Sequence, residues 1–365
     1  MDNFVKLLKI AYPSKLMAII TQSTIAKKLN VSRATVSKAL KDADDISAEM
    51  KHRVWDMAEK LNYIPHYYAK RLHLQRTNTI GVVVPDISYS FFSFVIDGIM
   101  DVAGLSGYHI ILTVSREKAD TEKENLLTLL SMRVDGILLA VSEETSDTQI
   151  FEKIRRSNVP LVFFDRAMDD FKFSSIGIDD RDAAQRLIDF VVGCGYQRIG
   201  HLAGSLLTDI GRNRRAGYVD ALNKNQIPVR EEWIIEGGFT RTDGYRGFMK
   251  MVRHRPLPEV VFAVNDQNAL GAYDAMKELG ILFPETMGVV AFGHHEFAKI
   301  ITPSLTIINV NPYNLGKKAM EIMLRRIGGQ DLGYKKILIP AEIEIGDSLK
   351  IPEQVMDEYN ARSVF

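Results

Sequence analysis

The sequence predicts a small all-α N-terminal segment followed by an α/β body built on parallel sheets. Three observations carry this. Residues 1–76 contain no glycine and no strand-like alternation, only short helical patterns. From Thr79 onward, short apolar runs bounded by Gly, Pro and Asp alternate with helix-length stretches, as in βαβ units around a buried parallel sheet. Charge is split the same way: residues 1–76 hold 14 Lys/Arg against 7 Asp/Glu, and the remainder 32 against 39, so that the chain sums to zero. Such asymmetry hints at nucleic-acid contact, although a solvated basic face gives the same count.

The N-terminal helices follow from local signals. The first spans about Ser23 to Leu29, with Ile25, Ala26 and Leu29 on one face, and Asn30 supplies a residue tolerant of a left-handed turn. Ser32 can cap the second, Arg33 to Lys41, which buries Val36 and Leu40. Ser47 can cap the third, Ala48 to Asn62, with Met50, Val54, Ala58 and Leu61 as its apolar stripe. In the body, strands are expected near Thr79–Val84, Tyr108–Val114, Val134–Ala140, Leu161–Phe164, Arg198–Ala203, Val260–Val264, Met287–Phe292 and Leu305–Val310. Helices are expected near Phe91–Leu105, Lys118–Met132, Ile150–Ser157, Asp182–Val192, Asn268–Leu279 and Leu315–Ile327. Ligands of such sheets bind at the carboxyl ends of the strands.

The 365 residues allow two or three domains, at roughly 100–200 residues each. No run approaches the ~18–20 apolar residues of a membrane span. The first residues lack the positive charge of a signal peptide, which leaves a short interfacial or partner-binding helix as the other reading of Met1 to Ile20. The lone Cys194 excludes an internal disulfide framework and makes a reducing cytoplasm the default. It lies late in an apolar helix, where burial is expected rather than nucleophilic work. No G-x-S-x-G, P-loop, H-E-x-x-H or strand-linked G-x-G-x-x-G occurs. Asp179 and Asp180 are simply adjacent, so no enzyme and no cofactor are expected.

Two short helices joined by a tight turn and braced by a third form a helix-turn-helix, whose second helix enters the major groove. With Val36 and Leu40 inward, the outer face shows Arg33, Ala34, Ser37, Lys38 and Lys41. Arg and Lys donate to guanine, and Ala touches a thymine methyl. Thr21, Ser32, Thr35 and Ser37 are short donors suited to phosphate oxygens. A generic three-helix bundle with a basic solvated face is the competing reading.

Longer strings decide between them. Residues 21–76 resemble the headpiece of the LacI/GalR regulator family through Ile25-Ala26, Val31-Ser32, Thr35 to Leu40, Ile46-Ser47 and Leu61 to Pro65. The body continues the resemblance in order: Ile80 to Asp86, Arg133 to Leu139, Pro160 to Arg166, Ile199 to Gly204, Arg214 to Tyr218, Phe262 to Ala272 and Pro303 to Thr306. It covers roughly Thr21 to Leu349. The resemblance implies a small all-α helix-turn-helix headpiece (21–65), a hinge helix and linker (66–77), and a periplasmic-binding-protein-like α/β body (78–349) with two doubly wound parallel-sheet lobes. A tail (350–365) and an N-terminal extension (1–20) flank these. Met17 to Thr21 matches a usual family start, so residues 1–16 are expected to be an artefact of start assignment. The tail has no heptad array, which makes a dimer the default.

The implied function is a cytoplasmic transcriptional regulator, by family default a repressor. It binds a palindromic DNA operator as a homodimer, under control of a small effector, a sugar or sugar derivative, in the cleft between lobes. The alternative is a carbohydrate-binding transport protein, which leaves the headpiece without a role. Arg33, Ala34 and Lys38 fall where the family reads bases. On the hinge helix, Tyr67 to Leu74, Ala69 allows close approach. Leu72 stands where a leucine wedges into the minor groove, unless it packs on its own domain. In the cleft the resemblance implies Asp86, Tyr89, Phe91, Phe92, Asp165, Arg214, Phe239 as a stacking ring, Asn265 and Asp266. Asp165 could instead pair with Arg166 or cap a turn, and Phe91 and Phe92 could be packing residues. One departure stands out: Gly293 replaces an Asp that many members carry, and His294 is expected as a new donor to an effector that is anionic, smaller or differently oriented. Adjacent His294 and His295 without a further ligand motif do not make a metal site.

Overall fold

The computed structural model describes residues 20–63, 76–88, 90–168, 173–330 and 333–362. It divides into two compact units, Met1–Thr77 and Asn78–Phe365. Residues 1–16, the hinge segment with Ala69 and Leu72, and Tyr89 lie outside the described residues.

The first unit holds α1 (Gln22–Leu29), α2 (Arg33–Ala39) and α3 (Ala48–Lys60). Thr21 and Thr24 form a reciprocal capping box on α1, and Ser32 and Ser47 cap α2 and α3 by accepting from Thr35 and Met50 N–H groups. Asn30 ends α1 at φ 54°, ψ 45°, the left-handed region where its short polar side chain is tolerated. Ile25, Ala26, Val36, Ala39, Val54 and Ala58 form the buried core, with Leu29, Leu40, Met50 and Leu61 partly buried around it. Ala39 is buried where Leu40 is expected, and Leu40, the C-cap residue of a helix that ends two residues earlier than expected, is partly buried against the same core.

The second unit contains two six-stranded sheets. The first lobe carries β1 (Thr79–Val84), β2 (His109–Val114), β3 (Gly136–Leu139), β4 (Leu161–Phe164) and β5 (Ser174–Gly177). Its helices are α4 (Ser90–Leu105), α5 (Ala119–Ser131) and α6 (Gln149–Arg156). The chain then enters the second lobe with α7 (Asp180–Gly193), β6 (Ile199–Gly204), α8 (Asp209–Lys224), β7 (Ile234–Glu236) and α9 (Arg241–Met251). That lobe continues through β8 (Val260–Ala263), α10 (Asp266–Glu278), β9 (Gly288–Gly293), α11 (His295–Ile300) and β10 (Thr306–Asn309). It returns to the first lobe with α12 (Pro312–Ile327) and β11 (Lys336–Leu338), then crosses back for β12 (Glu342–Glu344) and α13 (Glu353–Arg362). The strand orders are β11-β5-β4-β3-β1-β2 and β12-β10-β9-β8-β6-β7, parallel except where β12 runs antiparallel to β10.

Both faces of each sheet are covered, which explains the near-continuous apolar strands. Ile80, Val82 and Val84 enter the large cluster that runs through both lobes, while Val83 points into a second cluster with Leu126 and Phe151. Helix α12 crosses α4 at glycine: a Cβ on Gly316 would stand 1.9 Å from the Val95 carbonyl oxygen, and one on Gly98 2.1 Å from that of Tyr313. The segment expected as a separate tail folds back onto the body. Val355 packs on the large cluster, and the Tyr359 hydroxyl donates to the Ile343 carbonyl.

Candidate functional site

Two sites emerge, one in each unit. In the first, the turn at Asn30 sets α2 so that Val36 and Ala39 seal the core and Ser32, Arg33, Ala34, Lys38 and Lys41 face outward. Thr35 and Ser37 are half-buried and Thr21 is exposed. The hydroxyls expected to meet phosphates already have local work: Ser32 Oγ caps α2 and lies 2.9 Å from Thr35 Oγ1, and Thr21 caps α1. Each hydroxyl keeps capacity for a further bond. The Lys38 ammonium is paired with Asp45, and that contact holds the Asp45 carboxyl below its usual range.

The second site is a cleft between the lobes with about 900 Å³ of empty space, its open mouth included. Asp86, Phe91, Phe92, Asp165, Arg214, Phe239, Asn265 and Asp266 all line it. So does Gly293, the position of the noted departure, and so do Glu117, Glu143, Arg166, Ile210, Gly238, Thr240, Asp243, Gln267, Phe292 and Val310, which sequence reasoning did not assign to the cleft. The signal that could have found most of them is position: Glu117, Glu143, Arg166, Gly238 to Thr240 and Val310 follow the carboxyl ends of β2, β3, β4, β7 and β10.

The side chains differ in what they leave open. Arg214 is buried. Its Nε donates to Asp180 Oδ1 at 2.8 Å, its Nη1 to the Val264 carbonyl at 2.5 Å, and its guanidinium covers the Phe292 ring at 3.8 Å. Arg166 Nη1 donates to both Glu117 oxygens at 2.8 and 2.9 Å, and the Arg166 guanidinium lies 4.7 Å from the Phe239 ring centroid. Phe239, expected as an open stacking ring, therefore has one face occupied. Asn265 caps α10 and donates to the Phe239 carbonyl at 2.9 Å, so it shapes the wall. Phe92 is buried against Phe164 and belongs to the core as well as the lining.

Asp165 combines two costly features. Its backbone sits at φ 60°, and burial pushes its carboxyl up to about 7, against the opposing pull of Arg166 and Arg214. Arg166 Nε lies 3.9 Å from it, beyond hydrogen-bond reach. Burial likewise pushes Asp266, in the first turn of α10, up to about 6. Asp266 is partly compensated by hydrogen bonds from Gln267, whereas Asp165 has no such bond among the described residues. Buried carboxyls with raised pKa of this kind gather at functional sites.

His294 does not line the cleft. It caps α11: Nδ1 accepts the Phe297 N–H, so the ring proton sits on Nε2, which donates to Ser90 Oγ at 2.8 Å. Burial holds the ring below its usual pKa, and hence neutral. It stands 3.8 Å behind the Asp266 carboxylate and joins α4 of one lobe to the other. His295 turns elsewhere, to Glu344 at 2.7 Å. Among the described residues no cluster of three or more His, Cys, Asp or Glu could hold a metal ion, and no helix is long and apolar enough to cross a membrane. Cys194 is buried, which pushes its thiol up to about 11 and leaves it a poor nucleophile.

Comparison with known proteins bears on both sites. Residues 77–360 match the model of periplasmic binding proteins and sugar-binding domains of the LacI family, and residues 23–66 match that of lacI-family bacterial regulatory proteins. The chain belongs to the LacI family. The repressor CytR of Escherichia coli is 30% identical over 330 residues, 90% of this chain and 96% of that one. Catabolite control protein A of Priestia megaterium is 27% identical over 91% of this chain and 99% of its own. The lac repressor dimer bound to operator superposes with a TM-score of 0.76 at 27% identity, covering 91% of this chain and 99% of that structure. This LacI-family chain is a DNA-binding transcriptional regulator with a body of the sugar-binding type.

Proposed function

We propose that this regulator represses transcription from a two-fold-symmetric operator that it binds as a homodimer in the cytoplasm, without enzymatic activity. A small hydroxyl-bearing effector in the inter-lobe cleft controls its affinity. Arg33, Ala34 and Lys38 read base edges, and Thr21, Ser32, Thr35 and Ser37 meet phosphates. Ala69 and Leu72 enter the minor groove. Asp86, Tyr89, Phe91, Asp165 and Asp266 contact the effector, while Arg214, Asn265 and Phe239 hold the cleft walls in place. The observation that carries this reading is the outward face of α2, where two cations and a methyl group stand on a helix whose other face is sealed by Val36 and Ala39. Enrichment of bound duplexes from a randomised pool tests it. A palindromic consensus is expected, with Arg33→Ala and Lys38→Ala each relaxing preference at particular positions by about 1–3 kcal/mol. A uniform loss on all sequences would restrict those side chains to phosphate contact. No consensus at all would remove the regulator reading.

A further inference from the structure

The charges around the cleft restrict what can enter it. Among the described residues six carboxylates line it, from Asp86, Glu117, Glu143, Asp165, Asp243 and Asp266, against the two guanidinium groups of Arg166 and Arg214. Both cations are already committed to protein carboxylates, Arg166 to Glu117 through two hydrogen bonds and Arg214 to Asp180. Helix N-termini are the other source of positive potential in such folds. Here three of the helices that open onto the cleft, α8, α9 and α10, each carry an aspartate in the first turn: Asp209, Asp243 and Asp266. At α9 the Asp243 carboxylate takes the Thr240 N–H and hydroxyl for itself. Arg166 Nε keeps one unpartnered donor and the first turn of α4 carries no acid. Among the described lining residues, however, carboxylates outnumber guanidinium groups three to one, so a ligand phosphate or carboxylate would meet a net surplus of negative charge.

We propose that the cleft selects by charge, accepting a polyhydroxylated effector that is uncharged or bears an amine and rejecting its phosphorylated or carboxylated derivatives. This rests on the reading of the cleft as the effector site, and it excludes the anionic effector that the loss of a carboxylate at Gly293 suggests. That loss is local. A Cβ at Gly293 would stand 3.4 Å from the Asp266 Cβ, in ordinary contact, so a carboxylate there would sit beside one already present. Hydroxyl groups donate to carboxylates, and an ammonium group adds attraction to the surplus acidic lining.

Calorimetry of the full chain with matched sets tests the proposal. Each set holds a neutral sugar, its amino derivative, its uronate and its phosphate ester, for hexose and pentose skeletons. For the skeleton that binds, the neutral and amino forms are expected to bind with the amino form no weaker, and the anionic forms about a hundred-fold weaker or worse. Glu143→Gln and Asp86→Asn together should narrow that gap. A phosphate or uronate binding within ten-fold of its neutral parent would overturn the proposal. Binding by no member of any set would instead overturn the underlying reading of the cleft as a site for hydroxylated effectors.

Discussion

Replacing Asp165 by Asn should make the body more stable at neutral pH while removing its response to effector. The buried carboxyl is held near pH 7, against an ordinary aspartate value of 3.8. A raised acid favours the folded state fully below about pH 4, and that contribution is lost as pH rises through about 7. At ~1.4 kcal/mol per pH unit the whole loss is on the order of 4 kcal/mol, of which about 2–3 kcal/mol falls between pH 5 and pH 8. Asn keeps the shape, also tolerates φ near 60°, and does not ionise. Urea unfolding of both chains at pH 5 and pH 8 measures the difference. The native chain is expected to lose about 2–3 kcal/mol more than Asp165→Asn over that interval. Parallel pH profiles would refute the assignment of an uncompensated buried carboxylate, and with it the argument that stability is sacrificed there for binding.

Three further outcomes follow from named contacts. Asp45→Asn should tighten binding to a non-specific duplex about two- to five-fold by releasing Lys38; the gain should vanish in a Lys38→Ala background, and an equal gain from Asp44→Asn would reduce it to bulk charge. Arg214→Ala should cost about 3–5 kcal/mol in urea unfolding by stranding buried Asp180, with Asp180→Asn recovering much of it; strictly additive losses would contradict the pairing. Gly316→Ala should destabilise by about 1–3 kcal/mol or more. Gly104→Ala, on the open side of α4, should instead stabilise by a few tenths to 1 kcal/mol; a shared sign would refute the close approach of α12.

Much of the fold was legible because its signals are local. Asn30, Ser32 and Ser47 mark turn and caps by side-chain chemistry alone, and the central strands are apolar because both sheet faces are covered. The strands that escaped notice, β5, β7, β11 and β12, are short. The last three hold exposed residues in sequences such as KIL and EIE. Helices α8 and α9 escaped for another reason. Their polar sequences contain Gly217 and Gly244, which weigh against a helix locally. In three dimensions those glycines are where the helices touch neighbours: Cβ atoms there would stand 2.1 Å from the Arg181 oxygen and 2.3 Å from that of Asn268. The cleft was legible as a set of strand ends. What each side chain does there was not, because Arg214 and Asn265 are committed to partners far away in sequence, and His294 is turned by its capping role toward Ser90.

Control of DNA binding by the cleft is a statement about coupling, and coupling is reciprocal. The direct measurement is the effector affinity of the full chain, free and saturated with its selected operator, set against operator affinity with and without effector. The account predicts that the two ratios agree and lie well away from one, roughly 5–150-fold for allosteric couplings of ordinary size. An effector affinity identical on and off the operator would contradict it, whatever the cleft binds.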